Sequence, residues 1–326
     1  MHFKTIAPLS RFLLPVDGSE TSKRAVSFAG CLATGLGKQV SGITLLHVLA
    51  GTYLGSHMAN VDFRVNHILK SDQFQQFKNR HIADSVEPLM AEAEEKLRLT
   101  GVETPIERRV VDGDPAEQIT KIGAEKNCST VIMGRTGRSE IQEILLGSVT
   151  SSTLHRPHNM SVYVVGSRMP TADACLLPRI LIPVDGSIHS LAAVREAAVL
   201  GKCYGATLEK IILLHVVDLA RYSELLNKGL QPEEECDEIL NEARSILFEA
   251  GIAKEKVETV AEYGKPAQII VRVAEEREIT LLMLSRRGRS TLKAFFLGSV
   301  SNEIIYRCTG PTVAVVCGGT QARKKS

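Results

Sequence analysis

The chain of 326 residues lacks most of the features that would assign it to a class at a glance. No stretch reaches the ~18 uninterrupted apolar residues that a membrane-crossing helix needs, so no membrane partner is expected. The opening MHFKTIAPLSRF has no apolar segment ahead of a small-residue cleavage site, so the protein reads as soluble and cytoplasmic. Charge of one sign is not in excess. The 39 Lys and Arg against 37 Asp and Glu leave a net charge of +2, without the electrostatic footprint that a nucleic-acid backbone requires. The terminal TQARKKS reads as a solvated tail. Seven cysteines (Cys31, Cys128, Cys175, Cys203, Cys236, Cys308, Cys317) include no CxxC pair and no Cys/His spacing suited to zinc, and they read as reduced thiols. No GxxxxGK[ST] motif occurs, which excludes that class of nucleotide loop. No short-period repeat is present either.

What is present is a duplication. LPVDGS at residues 14–19 returns as IPVDGS at 182–187, and LLHV at 45–48 returns at 213–216, both 168 positions on. GDPA at 113–116 returns as GKPA at 264–267, and LLGSVTSS at 145–152 as FLGSVSNE at 296–303, both 151 positions on. The first copy therefore holds 17 extra residues, within 50–87, and the chain divides into domains at 1–168 and 169–326.

Each copy follows the same order of elements. Short apolar runs ended by DGS (11–16, 179–184) read as buried strands, followed by Ala-rich helices (21–36, 190–204) stopped by Gly35 and Gly37 or by Gly205. Runs at 42–48 and 210–216 are second strands, so each copy opens with a right-handed βαβ unit. A further helix and a third strand follow, and Pro115 and Pro266 each open the next helix at its first position. Fourth strands at 129–134 and 279–285, one more helix and fifth strands at 161–166 and 312–318 complete the pattern. Five parallel strands with intervening helices make a doubly wound α/β domain.

The chemistry concentrates in GRTGRSEIQEILLGSV at 134–149. Gly134, Gly137 and Gly147 follow a strand and let backbone N–H groups approach a phosphate chain. The helix behind Gly147 adds free N–H donors and a positive dipole end, with the Ser148 hydroxyl beside them and Arg135 and Arg138 at the mouth to screen charge. Asp17 ends strand one, which borders strand four at the switch point of such a sheet. His47 and His215, at matched places near the end of strand two, read as caps of local backbone. His155 and His158 read as loop residues with too few companions to hold a metal.

On these residues the chain resembles a tandem universal stress protein. The family signature, G-x2-G-x9-G followed by Ser or Thr, is matched by Gly134, Gly137, Gly147 and Ser148, and its Pro-x-Asp element by Pro15 and Asp17 and again by Pro183 and Asp185. The resemblance spans nearly the whole chain. It implies strand order 3-2-1-4-5 and pairing through fifth strands, here between the two copies about a pseudo-twofold axis, with a homodimer as a further arrangement. It also implies ATP, with Mg2+ or Mn2+. Pro15, Val16 and Asp17 then lie at the adenosine, Ile43 meets adenine through its backbone, Met133 lines the pocket, and the glycines with Ser148 and Val149 cradle the phosphates. In copy two, Pro183, Asp185, Ile211, Leu284, Gly288, Gly298, Ser299 and Val300 form a second candidate site. There Ser285 replaces the first glycine, which is expected to cost about 1 kcal/mol or more and to narrow the phosphate channel.

Three functions follow. The leading one is a stress-response nucleotide sensor or regulator without efficient catalysis. A slow ATP-hydrolysing or adenylate-forming enzyme would need an aligned acid or base, for which Asp17 is the one candidate, and a scaffold that binds no nucleotide is the third. The segment 50–87 reads either as a lid or as an extension packed against helix two or the other domain.

Overall fold

The computed structural model describes residues 7–50, 72–137, 146–168, 179–205, 207–229, 231–288 and 297–318. The first copy contains β1 (Arg11–Pro15), α1 (Glu20–Leu36), β2 (Gly42–Leu49), α2 (Asp72–His81), α3 (Glu87–Leu99), β3 (Ile106–Asp112), α4 (Pro115–Glu125), β4 (Thr130–Gly134), α5 (Ser148–His155) and β5 (Ser161–Val165). The second contains β6 (Arg179–Pro183), α6 (Ile188–Tyr204), β7 (Lys210–Val217), α7 (Leu219–Asn227), α8 (Pro232–Glu249), β8 (Val257–Tyr263), α9 (Pro266–Glu276), β9 (Leu281–Ser285), α10 (Ser299–Arg307) and β10 (Thr312–Val316).

Within each copy the strands are parallel and ordered 3-2-1-4-5, and the two sets join into one ten-stranded sheet through β5 and β10. That junction alone is antiparallel, with Val164 opposite Val313, Tyr163 opposite Ala314 and Val162 opposite Val315. The 151-residue offset makes Tyr163 and Ala314 equivalent positions, so the pseudo-twofold axis passes through this pair. Strands buried on both faces explain the continuous apolar runs. Accordingly, two apolar cores lie on opposite faces of the sheet, and each runs across both copies.

The DGS turn is built by its own side chains. Asp17 Oδ1 accepts from the Ser19 N–H (3.0 Å) and from Ser19 Oγ (2.6 Å), while Ser19 in turn caps α1 by accepting from the Ser22 N–H. Gly18 sits between them at φ 81°, a left-handed value that glycine adopts at no steric cost. Asp185, Gly186 (φ 76°) and Ser187 repeat the arrangement. This local closure sends the chain from strand to helix and leaves the second carboxylate oxygen of Asp17 to face elsewhere.

Part of the inserted segment extends a helix, as one of the two sequence readings holds. α2 runs through a π-helical turn (Ile82–Val86) directly into α3. Lys78 Nζ bonds Asp112 Oδ2 at the end of β3 (2.5 Å), which ties α2 to the carboxyl edge of the sheet. One departure concerns the cysteines. Cys128, Cys203, Cys236, Cys308 and Cys317 are free thiols, whereas Cys31 is disulfide-bonded, because spacing in sequence does not report which thiols meet in space.

Candidate nucleotide site

A cavity of about 300 Å3 opens at the carboxyl edge of the sheet, between β1 and β4. Its size is at the lower end of the range for small-molecule sites. β1 and its turn contribute Pro15, Val16 and Asp17, β2 contributes Leu46 to Leu49, and the β4 loop and α5 contribute Met133, Gly134, Gly137, Gly147, Ser148 and Val149. Most of the residues expected from sequence are therefore gathered in one place.

The glycines act through close approach. A Cβ at Gly137 would lie 2.9 Å from Asp17 Oδ2, so the absent side chain lets the carboxylate and the loop meet. At Gly134 a Cβ would lie 2.7 Å from the carbonyl carbon of Thr21, in the first turn of α1, and at Gly147 one would lie 3.1 Å from Thr136 Cα. None of the three has a positive φ. The Gly147 N–H donates to the Arg135 carbonyl (2.9 Å) and closes the loop, and Thr150 Oγ1 donates to the Gly134 carbonyl (2.9 Å).

The N-terminus of α5 differs from its neighbours. α1 and α4 are each capped by a side chain, Ser19 and Asp114, whereas α5 begins after Gly147 with no side-chain cap. Its first N–H groups stand at the cavity and suit an anion. The N-terminal end of α5 supplies positive potential to the cavity. Among the described residues no group of three or more His, Cys, Asp or Glu could hold a metal ion.

Four expectations need correction. Ile43 does not line the cavity: it is the second residue of β2, 2% exposed in the core, and the strand rises about 3.3 Å per residue toward the edge where the cavity lies. Ile211 holds the same place in β7, fully buried. Arg135 does not screen phosphates either. It is 4% exposed and crosses to the other copy, where its guanidinium donates to the carbonyls of Ile305 (2.6 Å), Tyr306 (2.9 Å) and Cys308 (3.3 Å) at the end of α10. Finally, the Cβ of Ser285 does not narrow a phosphate channel by the expected route, because the equivalent Cβ at Gly134 points into the first turn of α1. Arg138 lies outside the described residues.

Copy two keeps much of the arrangement. A Cβ at Gly288 would lie 2.5 Å from Asp185 Oδ2, the Gly298 N–H closes on the Arg286 carbonyl (2.9 Å), and Ser299 opens α10 with no side-chain cap. Pro183 ends β6, Leu284 is buried in β9, and Val300 is exposed in the first turn of α10. Where copy one has Thr21 and Thr136, copy two has His189 and Arg287. Burial, and then the Arg287 charge, hold the His189 imidazole below its ordinary pKa.

Sequence reasoning assigned only part of the lining: Pro115 and Ile119 of α4, Thr150 and His81 are among the residues it missed, and all line the cavity. His81 follows Lys78 on the same helix face, so the latch to Asp112 also presents the imidazole to the cavity. His47 and His215 behave as expected, bonding the carbonyls of Val16 (2.7 Å) and Val184 (2.6 Å) through Nδ1.

The family model described as the universal stress protein family matches residues 8–165 and, separately, 177–316. The chain belongs to this family. A universal stress protein of Mycolicibacterium smegmatis is 26% identical over 308 residues, covering 93% of this chain and 96% of that protein. The universal stress protein YxiE of Bacillus subtilis is 34% identical over 147 residues, 42% of this chain and 97% of its own length. Among solved structures, a universal stress protein from Archaeoglobus fulgidus superposes with a TM-score of 0.64 at 23% identity over 94% of this chain and 97% of that one, which supports the fold.

In this tandem universal stress protein the Arg135 contact has a mirror. Arg286 crosses in the opposite direction, donating to the carbonyls of Leu154 (2.7 Å) and Arg156 (2.7 Å) at the end of α5. Its Nη1 also stands 3.1 Å from His158 Nε2. The Met160 N–H donates to His158 Nδ1 (3.3 Å) and Nε2 faces the Thr153 carbonyl (3.1 Å), which sets the neutral tautomer. Burial, and then the Arg286 charge, push the His158 pKa down from 6.5 to about 4. The unfolded chain thus binds the proton more readily, and stability present above pH 6.5 is lost as pH falls toward 4. That loss is about 3 kcal/mol. Denaturant titrations from pH 7 to 4 are expected to show it in the wild type and to show a shallower slope in His158→Gln.

Proposed function

We propose that the N-terminal copy binds ATP and that the protein is a nucleotide-responsive stress regulator rather than a fast catalyst. One observation carries the reading: Asp17, Gly137 and the uncapped start of α5 converge on one cavity at the sheet's switch point. Glycine-lined backbone and a helix N-terminus suit phosphates, while Val16, Leu46, Val48, Met133 and Ile119 offer an apolar wall for a base. Mg2+ or Mn2+ would arrive with the phosphates, since the described residues assemble no cluster for it. Asp17 is committed through Oδ1 to the DGS turn, which argues against a free general base at the phosphates.

Within this reading the two domains divide at residue 168, pair through β5 and β10 of one chain, and act in the cytoplasm without needing a second chain. Isothermal titration of the full chain with ATP and Mg2+ is expected to give one equivalent per chain, with phosphate release no faster than in a protein-free control. Absence of binding overturns the proposal, and rapid release overturns its non-catalytic part.

A further inference from the structure

We infer that the edge joining β5 to β10 is heterotypic: each strand is shaped to accept the other and to refuse a copy of itself. The two copies are related by a pseudo-twofold, so a second copy of the chain offers every element a like partner at the same register. The side chains at the axis do not permit that exchange. Tyr163 of β5 is fully buried opposite Ala314 of β10. Its hydroxyl donates to Glu196 Oε1 (2.7 Å), and Ser161 Oγ donates to Glu196 Oε2 (2.8 Å). Glu196 belongs to α6 of the other copy and is 3% exposed. At the place equivalent to Glu196, copy one carries Phe28, whose ring packs 6.3 Å from that of Tyr163. The axis thus holds two large polar partners on one diagonal, and Phe28 with a small Ala314 on the other.

A β5–β5 pairing would set Tyr163 against Tyr163 with Phe28 behind each, overfilling the axis and leaving two buried hydroxyls without their carboxyl acceptor. A β10–β10 pairing would set Ala314 against Ala314, leaving a void and two Glu196 side chains without the tyrosine donor. A third mismatch reinforces the second. A Cβ at Gly166 would lie 2.3 Å from the Pro311 carbonyl oxygen. The position equivalent to Gly166 in copy two is Cys317, so like pairing of β10 would drive a real Cβ into that carbonyl. In the observed pairing the Cys317 N–H instead donates to Ser161 Oγ (3.3 Å), which joins the Glu196 cluster. The partner that β5 fits is therefore a strand with a small residue opposite Tyr163 and a buried carboxyl on the helix behind it. Within this chain β10 and α6 supply both.

This inference rests on the pairing alone, independent of any nucleotide. The pseudo-symmetry supplies its test, made in the full chain. The exchange Tyr163→Ala with Ala314→Tyr moves the ring to the wrong diagonal and is expected to lower the thermal midpoint by about 5–10 °C. Adding Phe28→Glu and Glu196→Phe completes the mirror image, with Thr312 offering the hydroxyl that Ser161 offers now, and is expected to recover most of that loss. A double-mutant cycle guards against a four-site variant that fails for unrelated reasons. Tyr163→Phe and Glu196→Leu together should lower the midpoint by clearly less than the sum of the single shifts. A half exchange as stable as the wild type, or strictly additive shifts in the cycle, would overturn the inference.

Discussion

Arg135→Met is expected to cost about 3 kcal/mol of unfolding free energy in denaturant titrations while changing ATP affinity by less than about twofold. The guanidinium is buried and reaches three carbonyls at the end of α10, where the last carbonyls of a helix have no partner within it. Removing the side chain leaves them buried, deletes a positive charge from the negative end of a helix dipole and opens the seam between the copies. Arg135→Lys is expected to recover little, because a single ammonium cannot span carbonyls that a planar fork reaches together. Had the side chain faced the cavity, the pattern would be the reverse: stability near wild type and affinity down by tenfold or more. Stability and affinity measured on one variant separate the two placements.

Gly134→Ala is expected to lower stability by about 2–3 kcal/mol and ATP affinity by at least tenfold. The new methyl meets backbone atoms of Thr21, at 2.7 Å from its carbonyl carbon and 2.8 Å from its oxygen, and backbone cannot rotate away. Relief requires α1 to shift from β4, which carries the DGS turn and Asp17 with it. Ser285→Ala, at the matching place in copy two, is expected to change stability by less than about 1 kcal/mol, since the chain already accommodates a Cβ there. Equal losses at both positions would contradict the close-approach account of Gly134.

The architecture was legible because it depends on patterns that repeat in the sequence: apolar runs of strand length, helices stopped by glycine, and a duplication that fixes two domains. Asp17 and the glycine loop were legible for a related reason, being adjacent to strand ends whose order follows from the fold. Arg135 was misplaced because a residue following a strand can turn toward its own crevice or across the sheet edge. What decides is a set of carbonyls 170 or more residues away. Ile43 was misplaced because the resemblance fixed a position along β2 but not its height relative to the crevice. His81 escaped notice since the inserted segment has no counterpart in copy two to calibrate it, and its reach depends on the Lys78–Asp112 latch. Glu196 gave no signal at all, for its partners Ser161 and Tyr163 belong to the other copy.

The central claim is that one nucleotide binds, in copy one, where Asp17 meets Gly137. ATP titration of the full chain beside Gly137→Val and Gly288→Val tests it most directly. The valine at 137 would displace the Asp17 carboxylate and fill the cavity, whereas the valine at 288 does the same to Asp185 in copy two. The account predicts one equivalent of ATP in the wild type, the same isotherm in Gly288→Val and no measurable binding in Gly137→Val. Unchanged binding in Gly137→Val, or its loss in Gly288→Val alone, would contradict it.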